Sequence, residues 1–328
     1  MSNPRVFVTR RLPGNALPVL AARTQMDLWP EEMPPPREEL IRHARECEGL
    51  LTLVTDPVNR ELLDQAPKLR VVSNMAVGYD NIDVAACTER GVAVGNTPGV
   101  LTDATADLAF ALLMAVARRL PEAREFVLAG RWKTWDPSLL LGRDVHGATL
   151  GIFGLGQIGQ AMAKRARGFG MRIVYFDKPK PSVEEQLGVA RLEKDELLRE
   201  ADFVSLHVPL SPKTRHLIGA PELALMKPTA VLINTSRGAV VDPIALAEAL
   251  RAGRPGAAAL DVTDPEPISP TDPLLKLPNA LVVPHIGSAS VQARAKMASL
   301  AVDNLLAGLE GRPLPHSVNP QVLSRRPL

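Results

Sequence analysis

Short apolar runs alternate along the chain with amphipathic segments of helical period, and strands that read as unbroken apolar runs belong to parallel sheets covered on both faces. Residues 6–8, 49–54, 69–73 and 92–94 predict strands, and residues 37–47, 60–66 and 84–90 predict helices. This alternation is complete enough for a small parallel α/β domain, closed by the turn signal Asn96-Thr97-Pro98-Gly99. Residues 102–119 then read as one long helix, rich in Ala and Leu and buried on most of its surface. Further strands are predicted at 148–153, 171–176, 203–208, 230–234, 257–262 and 280–283, and a last helix at 291–309 precedes a proline-punctuated tail. No internal repeat or low-complexity stretch interrupts the pattern.

Between the strand at 148–153 and a helix predicted over 160–169 lies Gly154-Leu155-Gly156-Gln157-Ile158-Gly159. In that context Gly154 permits a tight turn, Gly156 lets the backbone approach a pyrophosphate, and Gly159 lets helix and strand pack closely. The helix N-terminus offers unpaired N–H groups and a favourable dipole to the phosphates. Asp177 ends the next apolar run about twenty residues on, where the fingerprint places an acid for the ribose hydroxyls. Three glycines alone are an ordinary turn; strand, helix, second strand and terminal acid in register make a dinucleotide site. The motif sits mid-chain, which predicts two doubly wound parallel-sheet α/β domains. One is a flavodoxin-like substrate-binding domain from residues 1–99 plus 289–328, the other a Rossmann dinucleotide-binding domain over 100–288, with a ligand cleft between them.

At 328 residues the chain suits two domains, and 46% hydrophobic with 23% charged residues places it among globular proteins. A formal charge of +2 without a basic block implies neither a nucleic acid nor another polyanion as partner. Cys47 and Cys87 lie in segments read as helical and carry no metal-ligand spacing, so reduced structural thiols and no metal site are expected. The first residues enter a strand without the apolar stretch of a signal peptide, and no window is long enough to span a bilayer. A cytoplasmic protein is expected.

Three polar signatures follow predicted strands: Asn234-Thr235-Ser236-Arg237-Gly238, Asp264-Pro265-Glu266-Pro267 and Pro284-His285-Ile286-Gly287-Ser288. Loops at the carboxyl ends of strands line the crevice of a doubly wound sheet, so Arg237, Glu266 and His285 can converge although distant in sequence. Hydride transfer between a nicotinamide and a carbonyl needs a proton donor, a cationic clamp and a group that fixes the donor's charge. His285 suits the first role, since imidazole titrates near neutrality. Arg237, forked and always charged, suits the second, and Glu266 the third. Taken singly, each has a bland reading: a surface ion-pair partner, a solvated acid, a loop histidine. Their succession at strand ends beyond a dinucleotide motif favours chemistry.

With these motifs in place the chain resembles the D-isomer-specific 2-hydroxyacid dehydrogenases over essentially its whole length. Within that family, Gly130-Arg131-Trp132-Lys133-Thr134-Trp135-Asp136-Pro137, Leu141-Gly142-Arg143-Asp144 and His285-Ile286-Gly287-Ser288-Ala289 are most similar to glyoxylate/hydroxypyruvate reductases. The resemblance implies that His285 is the acid/base, Glu266 its partner and Arg237 the binder of substrate carboxylate and carbonyl. It implies substrate contacts at Leu53, at the amides of Val77 and Gly78, and at Ser288. On the cofactor side it implies Thr105, the loop Gly154, Leu155, Gly156, Gln157, Ile158 and Gly159, the acid Asp177, Val208, Pro209, Thr214, Thr235, Ser236, Asp261 and Gly287. Trp135 is expected either to reach the neighbouring active site of a homodimer formed through the dinucleotide-binding domain or to pack in that interface. His207 is read as structural, and His146, His216 and His316 match no constellation.

The expected activity is NAD(P)H-dependent reduction of glyoxylate or hydroxypyruvate to glycolate or D-glycerate. Asp177 accepts both ribose hydroxyls of NAD and repels the phosphate of NADP, so NAD is the expected cofactor; Lys178 and Lys180 offset that repulsion and keep NADP open. Phosphoglycerate and phosphite dehydrogenases share the scaffold and remain alternatives. An NAD-sensing corepressor is the reading from a different class, since fold alone never decides function.

Overall fold

The strands of this computed structural model, which describes residues 3–324, form two wholly parallel sheets. Strands β1 (Arg5–Val8), β2 (Gln25–Leu28), β3 (Gly49–Thr52), β4 (Val71–Asn74) and β5 (Ala93–Gly95) alternate with helices α1 (Ala16–Ala21), α2 (Arg37–Ala44), α3 (Arg60–Gln65) and α4 (Val84–Glu89). Their order is β2-β1-β3-β4-β5, the flavodoxin-like arrangement. Two of these helices begin where a side chain takes up an orphan amide: Asn59 caps α3 through Leu62 N, and Asp83 caps α4 through Ala86 N. β2 and α1 are additions to the sequence reading. β2 is an edge strand of Gln, Met, Asp and Leu with no fully buried residue, so it lacks the apolar run that marks the others.

The chain continues through α5 (Thr102–Ala117) and α6 (Leu120–Leu128) into β6 (Thr149–Phe153), α7 (Gln157–Arg167) and β7 (Arg172–Phe176). It then runs through α8 (Pro181–Leu187), β8 (Ala190–Arg191), α9 (Lys194–Glu200), β9 (Phe203–Leu206), α10 (Ala220–Leu225), β10 (Val231–Asn234), α11 (Pro243–Arg251), β11 (Ala257–Leu260) and β12 (Ala280–Val282). The sheet order is β12-β11-β10-β9-β6-β7-β8, with the reversal between β6 and β9 that defines a Rossmann switch point. Neighbouring residues of one strand feed opposite layers: Ile152 packs with Leu113 and Met162, whereas Phe153 packs with Leu197 and Leu206. Both faces of the central strands are thus covered, which is why β6, β9 and β10 are largely apolar along their length.

The last long helix, α12 (Val291–Leu309), spans the predicted residues and begins at the Ser290 cap, whose hydroxyl accepts Ala293 N. It lies on the five-stranded sheet: Ser73 Oγ donates to the Ala301 carbonyl at 2.7 Å, and a Cβ on Gly308 would meet Val71 at 2.5 Å. A short α13 (Gln321–Ser324) follows. The chain therefore divides into two compact units, one running to Leu101 and resuming at Ser288, the other Thr102–Gly287. The outermost residues of the expected first domain, 1–2 and 325–328, lie outside the described residues. Among the described residues no helix is long and apolar enough to cross a membrane.

Candidate active site

The glycine loop is built by close approaches that only glycine allows. Gly154 has φ +89°, and a Cβ there would meet the His207 carbonyl at 2.8 Å; a Cβ on Gly159 would meet the Gly154 carbonyl at 2.2 Å. Gly156 faces open space and brings no side chain to cap α7, so the first-turn amides around Gln157 and Ile158 are left to an anion. That cradle fits a pyrophosphate. α7 starts at Gln157, three residues before the predicted start at residue 160: a glycine inside the first turn weakens helix propensity, yet here Gly159 is needed for packing.

At the end of β7, Asp177 accepts the Leu155 amide on Oδ2 at 2.9 Å and the Lys178 amide on Oδ1 at 2.7 Å. Lys180 Nζ stands 3.6 Å from the same carboxylate. On the β9 side, Thr214 Oγ1 donates to the Pro209 carbonyl at 2.6 Å and closes the turn that begins at Val208. His207 precedes that turn, with Nε2 2.9 Å from Ser205 Oγ, and burial pushes its pKa down to about 4.

After β10, Asn234 shapes the loop that carries Arg237. Its Nδ2 donates to the Arg237 carbonyl at 2.9 Å, and its Oδ1 accepts Ser236 N at 3.0 Å and Ser236 Oγ at 2.8 Å. Thr235 Oγ1 is buried with no protein partner, a polar atom that fits a bound cofactor. A Cβ on Gly238 would lie 1.9 Å from the Thr263 carbonyl, so the loops bearing Arg237 and Glu266 are pressed together backbone to backbone.

After β11, Asp261 organises the segment bearing His285. Its carboxylate accepts Ile286 N at 2.6 Å and Gly287 N at 2.8 Å, and its carbonyl accepts His285 N at 2.9 Å. Burial raises the Asp261 pKa, opposed by those two amides. Thr105 on α5 touches the same place, 3.4 Å from a Cβ built on Gly287. Held in this way, His285 adopts φ +50°, which costs a non-glycine residue roughly 1 kcal/mol. Its Nδ1 meets Oε1 of Glu266. Nε2 is the ring nitrogen left for a substrate.

In the other unit, Leu53, Val77 and Gly78 are half-buried in loops that follow β3 and β4, and Ser288 lies in the turn before α12. Trp135 is 79% exposed. A cavity of about 440 Å³, lined by Arg119, Arg143 and Leu281, opens at the amino ends of β11 and β12, the opposite edge from the dinucleotide loops. Asn234 is not among the predicted site residues, nor are Asn74 and Asn96. Their signal is an Asn at or just beyond the carboxyl end of a strand, directly before a loop with chemistry.

Residues 110–287 match the family described as D-isomer specific 2-hydroxyacid dehydrogenase, NAD binding domain. The chain is 51% identical over 326 residues to a glyoxylate reductase of Korarchaeum cryptofilum, covering 99% of this chain and 98% of that one. A crystal structure of a Thermus thermophilus protein superposes with a TM-score of 0.90 at 50% identity, over 96% of this chain and 99% of that one. An NADPH-dependent glyoxylate/hydroxypyruvate reductase from Sinorhizobium meliloti, solved with NADP and malonate, superposes with a TM-score of 0.84 at 33% identity over the whole of both chains.

Proposed function

The chain belongs to the D-isomer specific 2-hydroxyacid dehydrogenase family, and from that premise we propose that it reduces glyoxylate to glycolate, and hydroxypyruvate to D-glycerate, with NADH or NADPH. The observation that carries this reading is the His285–Glu266 pair, set at the carboxyl ends of the strands of the sheet that bears the glycine loop. When bound, reduced nicotinamide supplies the hydride that no side chain can provide.

The protein's part is binding and proton transfer. Arg237 grips the substrate carboxylate with its fork and polarises the adjacent carbonyl. Further substrate contacts are assigned to Leu53, to the amides of Val77 and Gly78, and to Ser288. Since Glu266 occupies Nδ1 of His285, Nε2 hands its proton to the carbonyl oxygen as charge develops there. Glu266 holds the ring in place and balances the imidazolium. Asp177 prefers the ribose hydroxyls of NAD, and Lys178 and Lys180 beside it soften the exclusion of NADP.

The enzyme works as a cytoplasmic homodimer joined through its dinucleotide-binding domain. Support comes from Leu128, Trp132, Trp135 and Leu141, which expose apolar surface along one short stretch, and from two buried free cysteines suited to a reducing compartment. Trp135 belongs to this surface, either packing in the interface or reaching the neighbouring active site. Sedimentation at twice the chain mass supports this assembly, and a species of 35.3 kDa contradicts it.

Chiral analysis of the product made from hydroxypyruvate tests the functional reading. D-glycerate is expected; L-glycerate, or no consumption of either reduced cofactor with any small 2-oxo acid, overturns it. The second outcome would turn attention to a cofactor-sensing binding protein.

A further inference from the structure

The loop after β4 is held from behind by peptide carbonyls, and each held carbonyl fixes the amide on the other side of its peptide plane. Asn96 donates from Nδ2 to the Val77 carbonyl at 2.8 Å, and the next residue, Thr97, donates its amide to the Ala76 carbonyl at 2.8 Å. A trans peptide points its C=O and N–H in opposite directions. Pinning the Ala76 and Val77 carbonyls therefore turns the N–H groups of Val77 and Gly78 away from Asn96 and Thr97. Among the described residues neither of these amides has an internal acceptor.

Asn96 is itself anchored. Its carbonyl accepts Nδ2 of Asn304 at 2.9 Å, and Asn304, fully buried on α12, accepts the His316 amide on Oδ1 at 2.9 Å. The fit is tight, since a Cβ on Gly95 would lie 2.9 Å from Asn304. The far side of the loop is held in the same manner. Asn74 donates to the Gly78 carbonyl at 3.1 Å and to Oδ1 of Asn81 at 3.1 Å, and Asn81 donates to the Leu53 carbonyl at 3.0 Å. The side chains that do this are neutral amides, which bring no charge of their own to the loop.

We propose that Asn96, steadied by Asn304, is a positioning residue for substrate binding: it aims the Gly78 amide, in concert with the Val77 amide aimed through Thr97, at the carboxylate of the 2-oxo acid. This rests on the reading that Val77 and Gly78 bind that carboxylate. A carboxylate held equally in ground and transition states contributes to KM and not to kcat. Asn96→Asp keeps the shape of the side chain, removes the donor and sets oxygen against the Val77 carbonyl, which turns the peptide.

The test is steady-state kinetics of Asn96→Asp and the milder Asn96→Ser, with inhibition by oxalate, a carboxylate that undergoes no reduction. The expected result is a rise of about tenfold or more in KM for glyoxylate and a matching rise in Ki for oxalate, with kcat and KM for NADH nearly unchanged. Unchanged KM and Ki alongside a lower melting temperature would make Asn96 merely structural and overturn the proposal; should Asn96→Asp not fold, Asn96→Ser decides between the same two outcomes. Wild-type turnover keeps the two readings separate. If wild type does not reduce glyoxylate, the functional reading fails, whereas oxalate binding to wild type and variants by calorimetry still decides the role of Asn96.

Discussion

Leu155 donates its backbone amide to Oδ2 of Asp177 at 2.9 Å, so the acid expected to read the cofactor's ribose also props the glycine loop that cradles its phosphates. On the proposed reading, one side chain serves both ends of the adenosine half of the site. Its neighbour Lys180 brings positive charge to within 3.6 Å of the same carboxylate.

Asp177→Ala should therefore change selectivity and stability together. The ratio of kcat/KM for NADPH to that for NADH is expected to rise about tenfold or more, as repulsion of the phosphate is removed. The Leu155 amide loses its acceptor, at a cost of about 1 kcal/mol. Paired kinetics and urea melts check both; an unchanged cofactor ratio would remove Asp177 from the selectivity account.

The His285–Glu266 pair predicts a graded loss. His285→Ala removes the proton donor and should lower kcat by about a thousandfold while NADH binding, read by fluorescence, stays near wild type. Glu266→Gln keeps a partner at Nδ1 without the charge that balances the imidazolium, and a loss of roughly ten- to a hundredfold is expected. A Gln variant as damaged as the Ala variant would mean that Glu266 does more than orient and balance.

Packing between two site loops can be tested without touching either charged group. Gly238→Ala drives a Cβ to within 1.9 Å of the Thr263 carbonyl, a backbone atom that cannot rotate away. The variant should lose about 3 kcal/mol or fail to fold. Wild-type stability and activity in this variant would show that the loops bearing Arg237 and Glu266 are not held by this contact.

His207 predicts a pH dependence of stability. Its pKa falls from 6.5 to about 4 in the folded chain. Above 6.5 the ring is neutral in both states; below that, the unfolded chain takes up a proton that the native chain refuses, until native His207 titrates near 4. Stability is thus lost as the pH falls through this window, by up to about 3 kcal/mol and less to the extent that solvent reaches the ring. His207→Gln retains an amide for Ser205 and should flatten this part of the curve in urea denaturation; parallel curves for the two proteins would contradict the assignment.

How much of the molecule is legible in its sequence follows from how local each signal is. α12 is readable from end to end because Ser290 caps it and its buried positions Ala293, Met297, Ala298, Ala301 and Val302 recur at helical spacing before last turns that are buried all round. Arg237, Glu266 and His285 stand out because charged or titratable residues in loops that follow apolar runs are visible in any sequence. Edge strand β2 is not visible, since half-exposed residues carry no strong period. Nor are the tethers that aim the site, because they are hydrogen bonds between residues remote in sequence: Asn96 to Val77, Asp261 to Gly287, Asn304 to Asn96. Amides and carboxylates of this kind look like turn formers until their partners are brought beside them.

The most direct measurement is oxidation of NADH and of NADPH by the purified wild-type chain in the presence of glyoxylate, with glycolate quantified in the same reaction. The account predicts absorbance loss matched one for one by glycolate, faster with NADH, and abolished in His285→Ala. Stable cofactor absorbance at saturating glyoxylate, or turnover that survives loss of His285, would contradict it.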